Sequence, residues 1–457
     1  MSEEREFDII CIGAGPAGEA LAGELKGGDM SFAVIESNLV GGECPYWGCI
    51  PSKTLLRSAE VLAEADRARE LAASEVTYKV DYAKIYKRAF EMARGLDDTK
   101  SSQGLEKTGA TLIRGAGKLV ASGQVEVDGE RLTARRAVVI ATGTSPQVPP
   151  IEGMSSVDYW TNREAVLAPE QPERLIVLGA GPVGLELGQV FARLGTRVHL
   201  IETTPYPLPM GEPEAGKFIQ EVLVHDGLEV SCGSKAVKVA QSRNEISVTL
   251  DSGDVVTGDR LLVCTGRKPN LDGFDLDAAG VSRTSRGFVS VDAATLLAAA
   301  GVYAIGDING IGGFTHLSNY HGKVLGRSLR GHKVSANHVA VPRVIFTDPE
   351  VASVGLTEAI AREKGIDVKI GSIPDTLNMT SRGYIHGEPG GLVKLVADAR
   401  GGVLVGATLV GPTSGEMIHE MAVAIRAEVP LTTLADTIHA FPTFSRDFEG
   451  VFDSLAN

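Results

Sequence analysis

The sequence predicts an α/β protein of two doubly wound, Rossmann-like domains and an α+β C-terminal domain. Three observations carry this. A short apolar strand runs directly into a glycine-rich turn and a helix within residues 7–36. The same arrangement returns within residues 175–202. The chain then turns strand-rich from about Val341. The expected boundaries are residues 1–150 and 271–340 for the first domain, 151–270 for an inserted second one, and 341–457 for the third. The length of 457 residues suits two to four domains. The chain holds 54 glycines, well above the usual ~7%, so many positions need tight backbone turns.

Composition excludes several classes. Hydrophobic residues make up 43% and charged residues 22%, a globular balance that rules out wholesale disorder. No apolar run approaches the roughly 18 residues of a membrane span. The charged start, Met1 to Glu6, leads straight into a strand, so no secretory signal is expected and the expected location is cytoplasmic. A net charge of −14 argues against a nucleic-acid surface. Five cysteines are too few for a disulfide scaffold and leave at least one unpaired.

The first strand is Phe7–Ile12. Gly13-Ala14-Gly15-Pro16-Ala17-Gly18 follows, then a helix over residues 19–26 and a second strand, Phe32–Ile35, ending in Glu36. This is the frame a dinucleotide fingerprint requires. Gly13 makes the turn, Gly15 admits a pyrophosphate to the backbone, and Gly18 lets helix and strand close together. The helix N-terminus faces the phosphates with its positive end, and Glu36 accepts from a ribose.

The second copy matches it position for position. The strand Leu175–Leu178 leads into Gly179, Gly181 and Gly184. A helix over residues 185–194 and the strand Arg197–Ile201 follow, ending in Glu202 at the same spacing from the first glycine. Two ribose-binding carboxylates imply two dinucleotides without a 2′-phosphate, a flavin and NAD. NADP sites usually place a basic residue where Glu202 stands, so NADP is the lesser possibility. A second echo pairs Val138–Gly143 with Leu261–Gly266. Asp307 ends a further strand, at the edge where open parallel sheets bind ligands.

Between the two copies lies Cys44-Pro45-Tyr46-Trp47-Gly48-Cys49, followed by Ile-Pro-Ser-Lys53. On a helix, this spacing brings the two thiols close enough to bridge if Pro45 and Gly48 distort the first turn. A helix N-terminus lowers a thiol pKa. No second cysteine cluster exists for a metal site, so no metal is expected. Cys11, Cys232 and Cys264 stand singly beside apolar runs, as buried structural thiols do. Tyr46 and Trp47 read either as an aromatic wall for a flat acceptor or as packing against a partner subunit.

With these pieces in place, the chain resembles the class I pyridine nucleotide–disulfide oxidoreductases, the family of dihydrolipoyl dehydrogenase, glutathione reductase and mercuric reductase. The resemblance also rests on Thr-Gly-Arg at 265–267, Ala-Ile-Gly-Asp at 304–307, and the segment from Pro342 to Glu350. It implies a glutathione reductase-like fold, FAD and NAD(H) as cofactors, and a homodimer whose C-terminal domain completes the other subunit's site. Cys49 would lie against the flavin as charge-transfer thiolate, Cys44 would be the interchange thiol, and Lys53 would pair with Glu186 near the flavin. The implied cofactor-binding set is Gly13, Gly15, Gly18, Glu36, Gly42, Lys53, Gly117, Thr142, Gly143, Asp307, Thr315, Gly179, Gly181, Gly184, Glu202 and Gly266.

One departure limits the analogy. The family's disulfide reductases carry His-Pro-Thr-x-x-Glu near the C-terminus, the His acting as acid–base and the Glu orienting it. Here the stretch reads Phe441-Pro442-Thr443-Phe444-Ser445-Arg446. Losing a positioned base costs about 10²–10⁴-fold in rate, and phenylalanine moves no proton. His439 lies two residues from Phe441, so in an extended segment the two would share a face, but its expected role is to support the fold rather than to replace the base. The expected function is transfer of electrons from NADH through FAD and the cysteine pair to a small-molecule acceptor other than an ordinary disulfide: a quinone, a metal ion or another electrophile. Three alternatives stand beside it. They are disulfide reduction with a substitute base, an enzyme like 2-ketopropyl-coenzyme M oxidoreductase/carboxylase, and a low-turnover flavin redox sensor.

Overall fold

The computed structural model describes residues 5–243, 245–373, 380–387 and 390–457; the N-terminal residues 1–4, read above as the absence of a signal, lie outside them. The chain forms two compact units. One comprises Met1–Pro51, Lys87–Gln147 and Arg267–Asn337, the other Ser52–Tyr86, Val148–Gly266 and His338–Asn457. No described helix is long and apolar enough to cross a membrane.

The first unit is built on a sheet ordered Leu297–Ala299, Val302–Ala304, Glu130–Ile140, Arg5–Ile12, Phe32–Glu36 and Thr111–Arg114, with a hairpin of Gly117–Ala121 and Gln124–Val127 joined to Glu130–Ile140. Arg5–Ile12 pairs in parallel with both its neighbours. Its side chains alternate between two cores. Ile9 and Cys11 enter one with helix Pro16–Leu25, while Ile10 and Ile12 enter the other with Leu119 and Val125. A strand buried on both faces reads as a continuous apolar run, which is why Phe7–Ile12 shows no alternation. Helix Pro16–Leu25 packs on Thr315–Leu329, and Gly322 permits the approach, since a Cβ there would stand 2.4 Å from the Ala17 carbonyl oxygen.

In the second unit a parallel sheet runs Glu229–Ser231, Arg197–Ile201, Arg174–Leu178, Arg260–Val263 and Tyr159–Trp160. A three-stranded antiparallel sheet, Ala236–Ser242, Glu245–Leu250 and Val255–Gly258, shares a core with it. The C-terminal part is an antiparallel sheet ordered Arg343–Ile345, Glu350–Gly355, Val403–Gly411, Leu392–Asp398 and Val368–Ile373. Helices Ser414–Arg426 and Phe448–Ala456 cover it through Ile418, Met421, Phe448 and Phe452. A buried lysine pins this sheet to the helix Pro213–His225: Lys394 Nζ lies 2.9, 2.8 and 2.9 Å from carboxylate oxygens of Glu212, Glu214 and Glu358.

Both fingerprint helices begin earlier than residues 19 and 185, at Pro16 and Pro182. Proline suits the first helical position because its missing N–H would lack a helical partner anyway.

Candidate active site

The two glycine fingerprints have the same construction. In the first, a Cβ on Gly13 would lie 2.3 Å from the Ala141 oxygen and one on Gly18 2.1 Å from the Gly13 oxygen; in the second, Gly179 meets Cys264 at 2.7 Å and Gly184 meets Gly179 at 2.0 Å. Any side chain at these points would push strand, turn and helix apart. Gly15 and Gly181 differ: a Cβ on Gly181 would meet nothing among the described residues within 4 Å, and one on Gly15 only the Cα of Gly42, at 3.8 Å. These helix starts therefore face open space bounded by backbone, the cradle a pyrophosphate fills.

The two acids also match. Glu36 Oε2 accepts the Ala14 N–H at 2.8 Å and Glu202 Oε2 the Ala180 N–H at 2.7 Å. Each carboxylate thus shapes its own glycine turn. Glu202 Oε1 further accepts from the Thr204 N–H and the hydroxyls of Thr203 and Thr204. Burial opposes ionisation of Glu202, but these donors outweigh it and hold its carboxyl below the usual range.

The cysteine segment is two helices, not one distorted turn. Glu43–Tyr46 is a single turn, and a new helix of 23 residues begins at Cys49. Gly48 folds the chain back over the first turn, since a Cβ there would lie 3.3 Å from the Cα of Cys44. Neither thiol is in a disulfide, and the two are in hydrogen-bond contact. The expected lowering of both pKa values does not hold for Cys44. Its hydrogen bond to Cys49, and then burial, push it up, so Cys44 resists ionisation. Cys49 Sγ lies 3.4 Å from the hydroxyl of Thr315, first residue of the helix Thr315–Leu329, and a helix N-terminus favours a thiolate. Tyr46 is fully buried with its hydroxyl on the Val40 carbonyl. It packs inside its own subunit, so it belongs neither to an aromatic wall nor to a partner contact. Burial also pushes Cys11 and Cys264 up to about 12, marking inert thiols.

Lys53 Nζ lies 2.7 Å from Glu186 Oε2 and 4.7 Å from the Phe346 ring centroid. The other oxygen, Glu186 Oε1, accepts the Phe346 N–H at 3.0 Å. Glu186 is buried, so both its oxygens are occupied and the ammonium is fixed in place.

Asp307 belongs to a network that motif reading left incomplete. The Thr144 hydroxyl donates to its Oδ2 at 3.2 Å and the Ser318 hydroxyl to its Oδ1 at 3.4 Å. Arg267 donates to the Thr144 hydroxyl and carbonyl, both at 2.7 Å, and pairs with Glu43 at 3.3 Å. Burial pushes Asp307 up, and the Arg267 charge counters it. Thr144, Ser318 and Glu43 carry no sequence signal for this role, and Arg267 carries only its place in Thr-Gly-Arg at 265–267. Thr142 spends its hydroxyl on the Asn270 carbonyl at 2.8 Å, and Asn270 answers through Nδ2 at 2.9 Å. Gly143 and Gly266 have φ of +66° and +124°, and Gly117 packs against Ile12 and Ile35.

At the C-terminus Phe441 is 67% exposed. Arg446 stacks over its ring and pairs with Glu449 at 3.5 Å. His439 does not share its face: it turns inward, with Nε2 2.9 Å from Glu420 Oε1 and Nδ1 3.1 Å from the Thr437 carbonyl. The segment is not a strand, so the two-residue alternation fails.

Comparison with known proteins agrees with this geometry. The family model "pyridine nucleotide-disulphide oxidoreductase" matches residues 7–324 and the corresponding dimerisation domain matches residues 341–451. A dihydrolipoyl dehydrogenase of Thermus scotoductus is 35% identical, over 98% of this chain and 97% of that one. A mercuric reductase of Staphylococcus aureus is 32% identical over 97% and 82%. Among solved structures, the Cu(II) complex of the HOCl-induced flavoprotein disulfide reductase RclA from Escherichia coli aligns with a TM-score of 0.85 at 25% identity, covering 98% of this chain and 99% of that one. LpdA from Mycobacterium tuberculosis aligns at 0.86, also at 25% identity, with 99% of both chains covered.

Proposed function

Because the chain belongs to the pyridine nucleotide–disulphide oxidoreductase family, whose members bind FAD and NAD(P)H, we propose that it carries electrons from NADH to a metal ion through FAD and the Cys44–Cys49 pair. FAD, held at the Gly13-Gly15-Gly18 cradle, would supply the two-electron chemistry linking the nicotinamide to the Cys44–Cys49 disulfide. The glycine cradles and their acids fit both dinucleotides. Lys53, held by Glu186, has the fixed ammonium that, by the family resemblance, would stabilise negative charge during transfer. Cys49 holds the thiolate beside Thr315, and Cys44 holds the proton. Glu202 favours NADH, since a 2′-phosphate would meet a carboxylate.

The observation that carries the acceptor reading is Arg446 stacked on Phe441. Neither moves a proton at neutral pH. A metal ion needs none: two ions each gain one electron, the dithiol returns to a disulfide, and the proton from Cys44 goes to solvent. RclA, solved with Cu(II), supports that class. Quinone reduction directly at the flavin is the second reading, favoured by the same missing base.

The test is anaerobic NADH titration followed by acceptor turnover. A long-wavelength band after one equivalent, with Cu(II) reduction lost in Cys44→Ser, is the expected result. Direct bleaching without the band, with quinone reduction surviving Cys44→Ser, would replace this reading with the second.

A further inference from the structure

Arg94 occupies an uncommon backbone. Arg94, Gly95 and Leu96 have φ of +58°, +59° and +61°, a conformation that residues bearing a Cβ adopt at a cost. The turn leaves the guanidinium exposed but anchored. Nη1 donates to Ser101 Oγ at 2.5 Å, and Cζ stands 6.0 Å from the Tyr46 ring centroid. Those two groups border Gly41: a Cβ there would lie 3.7 Å from Ser101 Oγ and 3.3 Å from Tyr46 Cε2. Gly42 follows, and its own Cβ would lie 2.9 Å from the Cα of Gly15. Arg94 is therefore anchored to groups lining the loop that closes over the first fingerprint.

Charge points the same way. Glu19 lies in the first turn of the phosphate-facing helix. Burial, and then Glu36, push its carboxyl up, to about 7, while the Arg94 charge pulls it down. A pyrophosphate at this helix start brings two negative charges beside two carboxylates. Helix and backbone donors supply only partial charges, and a guanidinium matches phosphate oxygens two at a time.

We propose that Arg94 binds the pyrophosphate of FAD. The proposal rests on the family's FAD binding, so the flavin content of the purified wild-type protein is measured first. Flavin is then removed, and apoprotein of wild type, Arg94→Gln, Arg94→Lys, Arg94→Gly and Glu19→Gln is titrated with FAD by fluorescence at low and high salt. Arg94→Gln and Arg94→Gly should bind about 10- to 100-fold more weakly, the range for a charged hydrogen bond, with a shallower salt dependence. Arg94→Lys should recover part of the loss, and Glu19→Gln should bind more tightly than wild type. Apoprotein melting should be unchanged in Arg94→Gln. FAD affinity within about twofold of wild type in Arg94→Gln or Arg94→Gly would overturn the assignment. A loss that Arg94→Lys does not relieve, or that tracks a lower apoprotein melting point, would overturn it too, because the turn and not the charge would then matter.

Discussion

Arg446 lies over the ring of Phe441, its Cζ 5.2 Å from the centroid. The stack occupies the two positions at which disulfide-reducing relatives were expected to hold a histidine and its orienting carboxylate. The two side chains form a cation–π pair, worth about 0.5–1 kcal/mol at an exposed site. Glu449, 3.5 Å from Arg446 Nη2, completes it.

Restoring the acid–base pair should restore disulfide chemistry. Phe441→His with Arg446→Glu should raise lipoamide or glutathione disulfide turnover by at least about tenfold, part of the 10²–10⁴ that a positioned base contributes. The geometry adds a condition. A carboxylate at 446 would face Glu449, so the gain should be larger with Glu449→Gln added. Equal, unchanged rates in the double and triple variants would sink the missing-base account.

The reduced pair should ionise at Cys49 first. In Cys44→Ala, absorbance of the thiolate should titrate below the ordinary free-thiol value of ~8.5. Adding Thr315→Val should move that titration to higher pH, because the hydroxyl 3.4 Å from Cys49 Sγ is lost. In Cys49→Ala the remaining Cys44 should be the poorer acid. The reverse order would contradict the assignment of the charge.

Lys394 should be a stability residue. Its side chain is 7% exposed and meets three carboxylates. Burial disfavours its charge, yet the three partners hold its pKa above the ordinary value. Lys394→Met leaves those carboxylates facing each other. Removing one partner of a buried pair costs about 3–5 kcal/mol, read as a lower urea midpoint. Glu214→Gln, whose side chain is 54% exposed, should cost far less.

Glu350 gives stability a pH slope. Burial pushes its carboxyl from 4.5 up to about 6; the Gly415 N–H opposes this, while Glu416, Glu60 and Asp348 add to it. A folded value above the unfolded one means the folded state binds the proton more tightly. Its contribution is therefore full below pH 4.5 and lost as the pH rises through about 6. Glu350→Gln should flatten unfolding free energy across that window. A slope unchanged by the substitution would assign it to other groups.

The sequence alone determined the elements whose demands are local. Gly18 and Gly184 must each admit the carbonyl oxygen of the glycine five residues before it, at 2.1 and 2.0 Å from the missing Cβ, so that constraint lies inside the motif itself. Gly18 and Gly184 were therefore legible, and so was the duplication they frame. Glu36 and Glu202 were legible for the same reason: each closes a turn only 22 residues away. What the tertiary structure decided depends on neighbours distant in sequence. Lys53 finds Glu186 across 133 residues and Arg267 finds Glu43 across 224. Relatives supplied the first pairing to the sequence reading; nothing local announced the second. Tyr46 stood equally open to an aromatic wall and to packing until the fold buried it, and His439, expected to support the fold, is held inward by Glu420. Whether a polar group is exposed or paired is set by what the fold brings against it, and one-dimensional spacing does not contain that information.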